Sequence, residues 1–186
     1  MKYLIVGLGN IGAEYELTRH NIGFLVLDRL AEKQKVTYAP ARYGDQAMFK
    51  YKGRSIYLVK PSTYMNLSGK AVSYWLEKLK LNKENLLVVV DDIALPFSSL
   101  RMRAKGSDAG HNGMKSIEQL TGGNNYPRLR FGIGNDFHSG QQVDYVLSNF
   151  SQEQFELLPP IMDNAGDMVL SFCTIGINRT MNEFNN

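Results

Sequence analysis

A single cysteine, Cys173, stands in the whole chain. No intramolecular disulfide can form, which fits a reducing compartment, and a lone thiol on a C-terminal helix reads as a small buried hydrophobe rather than a nucleophile. Histidine is nearly as scarce, with only His20, His111 and His138. No stretch reaches the roughly 18 consecutive apolar residues of a membrane-spanning helix, so none is expected. The N-terminus enters a strand within two residues of Met1 and lacks an apolar segment of signal length, so a cytoplasmic location is expected. Repeats, low-complexity tracts and linkers are missing too. The 186 residues, 44% hydrophobic, are expected to form one domain over 1–186 with a sizeable core. Asn66-Leu67-Ser68 and Asn178-Arg179-Thr180 match the glycosylation pattern, but without secretion they carry no weight.

Net charge is also small, at +3. Its distribution is less bland. Between Arg101 and Arg130 lie Arg101, Arg103, Lys105, Lys115, Arg128 and Arg130, opposed only by Asp108 and Glu118. That local excess exceeds the excess of the whole chain and points to an anion-binding surface.

Hydrophobic periodicity predicts alternating strands and helices. Lys2–Val6 reads as a buried strand, and Asn21 to about Gln34 as an amphipathic helix with Asn21 as its N-cap. Met48–Tyr51 and Ser55–Val59 flank the hairpin signal Lys52-Gly53, and Pro61 ends the second strand. Ser68–Leu81 carries Val72, Trp75, Leu76 and Leu79 at helical spacing. Leu86–Val90 is a β-branched central strand stopping at Asp91-Asp92. Leu100–Ala104 and Arg128–Ile133 read as strands, each with two arginines on one face. Between them a polar loop, Lys105–Gly113, leads into a short helix, Met114–Leu120. Gln152–Thr174 and Asn178–Phe184 read as helices, with Pro159-Pro160 either kinking the first or beginning its packed part. The expected fold is therefore α/β, a single domain with a mixed central sheet flanked by helices.

Gly7-x-Gly9-x-x-Gly12 follows the first strand, as a dinucleotide-binding fingerprint would. That fingerprint requires a helix opening at its third glycine and an acidic residue at the end of a second strand. Here helical periodicity starts only near Asn21, and Asp28, at the right distance, falls inside that helix. The context fails, and no nucleotide cofactor is expected.

Ligands in open α/β folds bind beyond the carboxyl ends of strands. At such ends this chain places Asn10 and His20, then Tyr64-Met65-Asn66, then Asp91, with His111-Asn112 closing the glycine-containing loop. This set spells neither a metal site nor a serine or cysteine triad. A His/Asp pair with amide side chains suits hydrolysis by activated water: the imidazole takes the proton, the carboxylate fixes its tautomer and the amides hold the substrate. Plainer roles stand beside it. Asn21, Asn66 and Asn112 all precede helices and suit caps, Asp91 suits a turn, and His20 suits a helix-flanking surface position.

The blocks Gly7-Leu8-Gly9-Asn10-x-Gly12-x-x-Tyr15-x-x-Thr18-Arg19-His20-Asn21-x-Gly23 and Lys60-Pro61-x-Thr63-Tyr64-Met65-Asn66-Leu67-Ser68-Gly69 resemble signatures of the bacterial-type peptidyl-tRNA hydrolase family. Gly110-His111-Asn112-Gly113-x-Lys115-Ser116-Ile117 and Arg128-Leu129-Arg130-Phe131-Gly132-Ile133-Gly134 follow in family order, so the resemblance spans essentially the whole chain. It implies a monomeric, metal-free and cofactor-free esterase that cleaves peptide from the 3′ ribose of tRNA. Carried over by motif, His20 is the general base, Asp91 its orienting partner, and Asn10 a group positioning ester and water. Met65, Asn66, His111 and Asn112 would line the substrate channel, and Tyr15 would stack at the ribose or terminal base. Arg103 and Arg130, with Lys105 nearby, would clamp the 5′ phosphate of the acceptor stem, which agrees with the charge count.

Three departures stand out. Val90 replaces the histidine usual before the first aspartate, and Ala94 replaces a second aspartate expected to be supporting. The loop Gly106-Ser107-Asp108-Ala109-Gly110 is also less glycine-rich than the family pattern. Some relatives keep the fold as RNA-binding splicing factors without hydrolysis, but a pure binder has no need of a paired base and carboxylate.

Overall fold

Alternation sets the central layer. In β1 (Lys2–Gly7) Leu4 and Val6 face one side and Ile5 the other; in β5 (Leu86–Asp92) Leu86, Val88 and Val90 alternate with Leu87 and Val89, all buried. Strands buried on both faces belong inside a sheet covered by helices. The remaining strands are β2 (Ala39–Ala41), β3 (Gly44–Tyr51), β4 (Arg54–Pro61), β6 (Leu100–Arg103) and β7 (Arg128–Gly132). In the computed structural model, which describes residues 1–185, they form one seven-stranded sheet of order β2-β3-β4-β1-β5-β7-β6.

The four inner strands β4, β1, β5 and β7 run parallel, whereas β2, β3 and β6 pair antiparallel at the two sides. The mixed α/β architecture is the one expected. The β3–β4 hairpin turns at Lys52 and Gly53, both at positive φ (46° and 81°), a mirror-type turn that matches strand twist.

Among the described residues six α-helices cover the sheet: α1 (Ile22–Lys33), α2 (Ser68–Leu79), α3 (Asn112–Thr121), α4 (Gln142–Val146), α5 (Gln152–Ile175) and α6 (Ile177–Phe184). On one face α1 and α5 bring Val26, Leu30, Val169 and Phe172 against Ile5, Leu58 and Val89. On the other, α2 and α3 pack Val72, Trp75 and Ile117 on Leu4, Val6 and Val88. Helix α5 opens on a complete capping box, Ser151 with Gln154, and runs through Pro159-Pro160 without a break; Leu158 is its first buried residue. Cys173 is buried in it, and burial pushes its thiol up, away from the nucleophilic form. Among the described residues no helix is long and apolar enough to cross a membrane.

The glycines of the opening motif serve packing. A Cβ on Gly7 would strike the Gly23 carbonyl, and one on Gly23 would come within 2.6 Å of the carbonyl oxygens of Leu8 and Val89. Backbone-to-backbone contact thus draws the start of α1 tight against β1 and β5, and with it the turn that carries His20. Gly12 leads not into an α-helix but into a single 3-10 turn, Ala13–Tyr15. The helix opening that a dinucleotide fingerprint requires is not there.

Because the four inner strands are parallel, their carboxyl ends share one rim. Gly7, Pro61, Asp92 and Gly132 all finish there, and the polar residues singled out from sequence follow those ends.

Candidate active site

The site is built on Asp91, near the end of β5. Its side chain is 2% exposed and accepts two hydrogen bonds at 2.8 Å, from His20 Nδ1 to Oδ2 and from His111 Nε2 to Oδ1. Burial pushes the Asp91 carboxyl up, but the two imidazoles, His20 foremost, pull it further down, to well below the usual carboxylate range. An ionised carboxylate only accepts, so His20 Nδ1 must carry the proton, and Nε2 presents its lone pair. Burial lowers the His20 pKa, while the charge and hydrogen bond of Asp91 raise it; the net shift is upward.

Local structure fixes His20. It sits in a 3-10 turn, Arg19–Asn21, directly before α1. Arg19 turns away from the site and donates to Ser148 Oγ at 2.6 Å and to the Asn149 carbonyl at 2.9 Å, over the Tyr145 ring. That clasp ties the turn to the segment joining α4 and α5. The two imidazoles lie beside each other, ring centres 4.9 Å apart.

Asn21 does not cap α1, contrary to expectation: its side chain makes no cap hydrogen bond. Instead its Oδ1 accepts from Asn10 N at 2.8 Å and its Nδ2 donates to Asn10 O at 2.9 Å. An amide side chain that satisfies both backbone groups of one residue fixes that residue's orientation. Asn10 Oδ1 in turn accepts from Met65 N at 2.8 Å, so its Nδ2 donors are the end left unengaged among the described residues.

The loop after β6 brings His111 and Asn112 to the site. His111 caps α3 with its ring, Nδ1 accepting from Gly113 N and Met114 N at 3.1 and 3.4 Å. Asn112 is exposed and shares with His20, Asp91 and His111, and with Val143 and Val146 of α4, the lining of a cavity of about 90 Å³. Met65 is buried, Asn66 beside it is exposed, and Tyr15 is half-buried in its turn and lines neither this cavity nor the one beside Asn10. That second cavity, about 600 Å³, lies along Asn10, Phe24, Lys60 and Pro61.

Asp91 and Asp92 separate cleanly. Asp92 Oδ1 accepts from Ala94 N at 2.8 Å, and Arg130 Nε lies 3.2 Å from its Oδ2. Asp91 alone meets the histidines. Position 94 enters through its backbone, which an alanine supplies as well as an aspartate.

The basic cluster divides as well. The register sets Arg101 opposite Arg130 and Arg103 opposite Arg128, which puts all four on one face of β6 and β7. Arg128 is fully buried rather than on a wet face: it lies over the Tyr126 ring and donates to the carbonyls of Tyr126, Gly106 and Asn124. It ties down the loop before α3. Arg103 and Arg130 are partly exposed and Lys105 is exposed.

His20, Asp91 and His111 are the group of potential metal donors that converges among the described residues. Both nitrogens already face carboxylate oxygens at hydrogen-bond distance, so an ion between them would have to replace both contacts.

The family model described as peptidyl-tRNA hydrolase matches residues 4–186. A peptidyl-tRNA hydrolase of Cytophaga hutchinsonii is 57% identical over 185 residues, covering 100% of this chain and 98% of that one. One of Bacteroides fragilis is 55% identical over 185 residues, with 100% and 99% covered. The solved Arg119Gln mutant of the Acinetobacter baumannii peptidyl-tRNA hydrolase superposes with a TM-score of 0.93 at 31% identity, covering 98% of this chain and 94% of that one. The chain belongs to the peptidyl-tRNA hydrolase family.

Proposed function

We propose that this protein hydrolyses the ester between a peptide, or an N-blocked amino acid, and the 3′ ribose of tRNA. The observation that carries the reading is the His20 Nδ1 to Asp91 Oδ2 hydrogen bond of 2.8 Å, which leaves His20 Nε2 free to take a proton. In the first step Nε2 removes a proton from water as the oxygen attacks the ester carbonyl, and Asp91 stabilises the imidazolium formed. Asn10 Nδ2, held by Asn21 and Met65, donates to the ester or to the attacking water. In the second step the tetrahedral intermediate collapses, the C–O bond to the ribose breaks, and the imidazolium returns its proton to the leaving 3′ oxygen. The products are a free carboxylate and tRNA with its 3′ hydroxyl restored.

In this reading Met65, Asn66 and Asn112 line the channel for the peptide backbone and the 3′ end, and Tyr15 stacks at the ribose or terminal base. Arg130, Arg103 and Lys105 bind the 5′ phosphate of the acceptor stem, which positions the tRNA without reading its bases. The protein acts as a monomer in the cytoplasm. Side chains carry both proton transfers, and turnover is expected to need no added metal or nucleotide. The test is release of free tRNA from N-acetyl-aminoacyl-tRNA by purified protein, with and without EDTA. Equal rates are expected; tight tRNA binding with no release would make the protein a binder instead.

A further inference from the structure

We infer that His111 is a positioning residue for the general base: it acts through Asp91, as a fixed Nε2–H donor, and not by contact with substrate. The inference rests on the hydrolase reading of the same site and extends it to a residue whose place in the family motif suggests a channel contact.

Both nitrogens of the His111 ring are committed. Nδ1 accepts from the backbone N–H groups of Gly113 and Met114 at the start of α3, so it must present a lone pair. The proton is therefore on Nε2, which lies 2.8 Å from Asp91 Oδ1 and donates to it. The N-terminus of a helix thus fixes the tautomer of His111, and the tautomer makes His111 an obligatory donor. No polar atom of the ring remains for a substrate. Its side chain is 10% exposed, which leaves little surface for one.

The effect passes to His20. With Oδ1 held, Asp91 cannot rotate, and Oδ2 stays aimed at His20 Nδ1. Sharing its negative charge with a second donor also makes Asp91 a weaker acceptor toward His20, so His111 holds the affinity of His20 for a proton lower than a simple pair would. The other charged groups facing the two rings are Asp92 of β5, Arg130 of β7 and Asp108 of the loop before α3; Arg130 is drawn to Asp92. From α4 the facing residues are Gln142, Val143 and Val146, none ionisable. From the His20 turn Arg19 is directed at residues 148 and 149.

Two substitutions separate the two ends of the ring. His111→Asn keeps an oxygen near the Nδ1 position, where asparagine is a good N-cap, and loses the donor to Asp91. His111→Gln puts an amide N–H near the Nε2 position and weakens the cap. For His111→Asn we expect melting near wild type, kcat lowered severalfold, KM within about twofold, and the acid limb of kcat/KM moved up by about half to one pH unit, about a threefold to tenfold loss on that limb. His111→Gln should return the limb toward wild type although its cap is weaker. A raised KM with an unmoved acid limb would make His111 a substrate contact and overturn the inference.

A substrate-free measurement stands apart from the hydrolase reading. Nitrogen-15 NMR of the wild-type imidazoles should show His111 as the Nε2–H tautomer at neutral pH, and the His20 titration should move up in His111→Asn. A protonated His111 Nδ1, or an unmoved His20 titration, would refute the coupling even if turnover is confirmed. Absent turnover with the expected spectra would instead refute the hydrolase reading and leave the coupling standing.

Discussion

Replacing Asp91 by asparagine puts one acceptor where two donors converge. The carboxylate, on a side chain 2% exposed, receives His20 Nδ1–H and His111 Nε2–H at 2.8 Å each. Asparagine offers one oxygen and one N–H2 in nearly the same shape. If its oxygen faces His20, its amide nitrogen meets the His111 donor, and that ring must release either Asp91 or the α3 cap. If its nitrogen faces His20, the ring is driven to the Nε2–H tautomer and its basic lone pair points away from the water. Either way a charge-assisted hydrogen bond of about 1.5–3 kcal/mol is lost. The imidazolium of the transition state also loses a carboxylate at contact distance, about 4 kcal/mol at an effective dielectric of 20. Since these overlap, we expect a total of about 3–5 kcal/mol, or about 10²–10⁴ in kcat; removing the orienting carboxylate charge of a serine-protease triad costs about 10⁴. The assay is single-turnover release of tRNA from N-acetyl-aminoacyl-tRNA at saturating enzyme, with the melting temperature as a check on folding. A folded Asp91→Asn protein turning over within about fivefold of wild type would refute the orienting role.

The phosphate clamp predicts a different signature. Arg130→Ala should raise the apparent KM with little change in kcat and lower the salt slope of binding by about one; no change in either would remove Arg130 from the clamp. The pH profile follows from the upward shift at His20. The base works unprotonated, so activity should rise with pH through an apparent pKa above the ordinary value of about 6.5. Half-maximal kcat/KM below pH 6 would contradict the pairing with Asp91. The same shift acts on stability: the pair's contribution through His20 is complete below the unfolded pKa and is lost as pH rises through the folded one.

Periodicity made the inner strands, α1, α2 and α5 legible, because each is long enough for a buried stripe or a two-sided core to leave its mark. Helix α4 has five residues, β2 has three, and no residue of either is buried; local pattern carries nothing there, and tertiary contacts decide. Spacing also placed His20, Asp91 and Asn10 at one rim, since parallel strands bring their carboxyl ends together. What it could not give is partnership across the sheet. Asn21 before a helix has the composition of a cap, yet its amide is used on Asn10, eleven residues back. Arg128 and Arg130 occupy alternate positions with the same chemistry, but the loop at Gly106 and the ring of Tyr126 cover only the first. The sharing of Asp91 by two histidines depends on how the 105–111 loop closes, which no short-range signal encodes.

The most direct test of the account is His20→Ala, measured for tRNA binding and for turnover in the same preparation. Removing the imidazole takes away the base without touching Arg130, Arg103 or Lys105. Binding within about threefold of wild type with single-turnover hydrolysis reduced by at least about 10³ is the predicted result. Hydrolysis near the wild-type rate would contradict it, because no other unengaged imidazole nitrogen faces the site among the described residues.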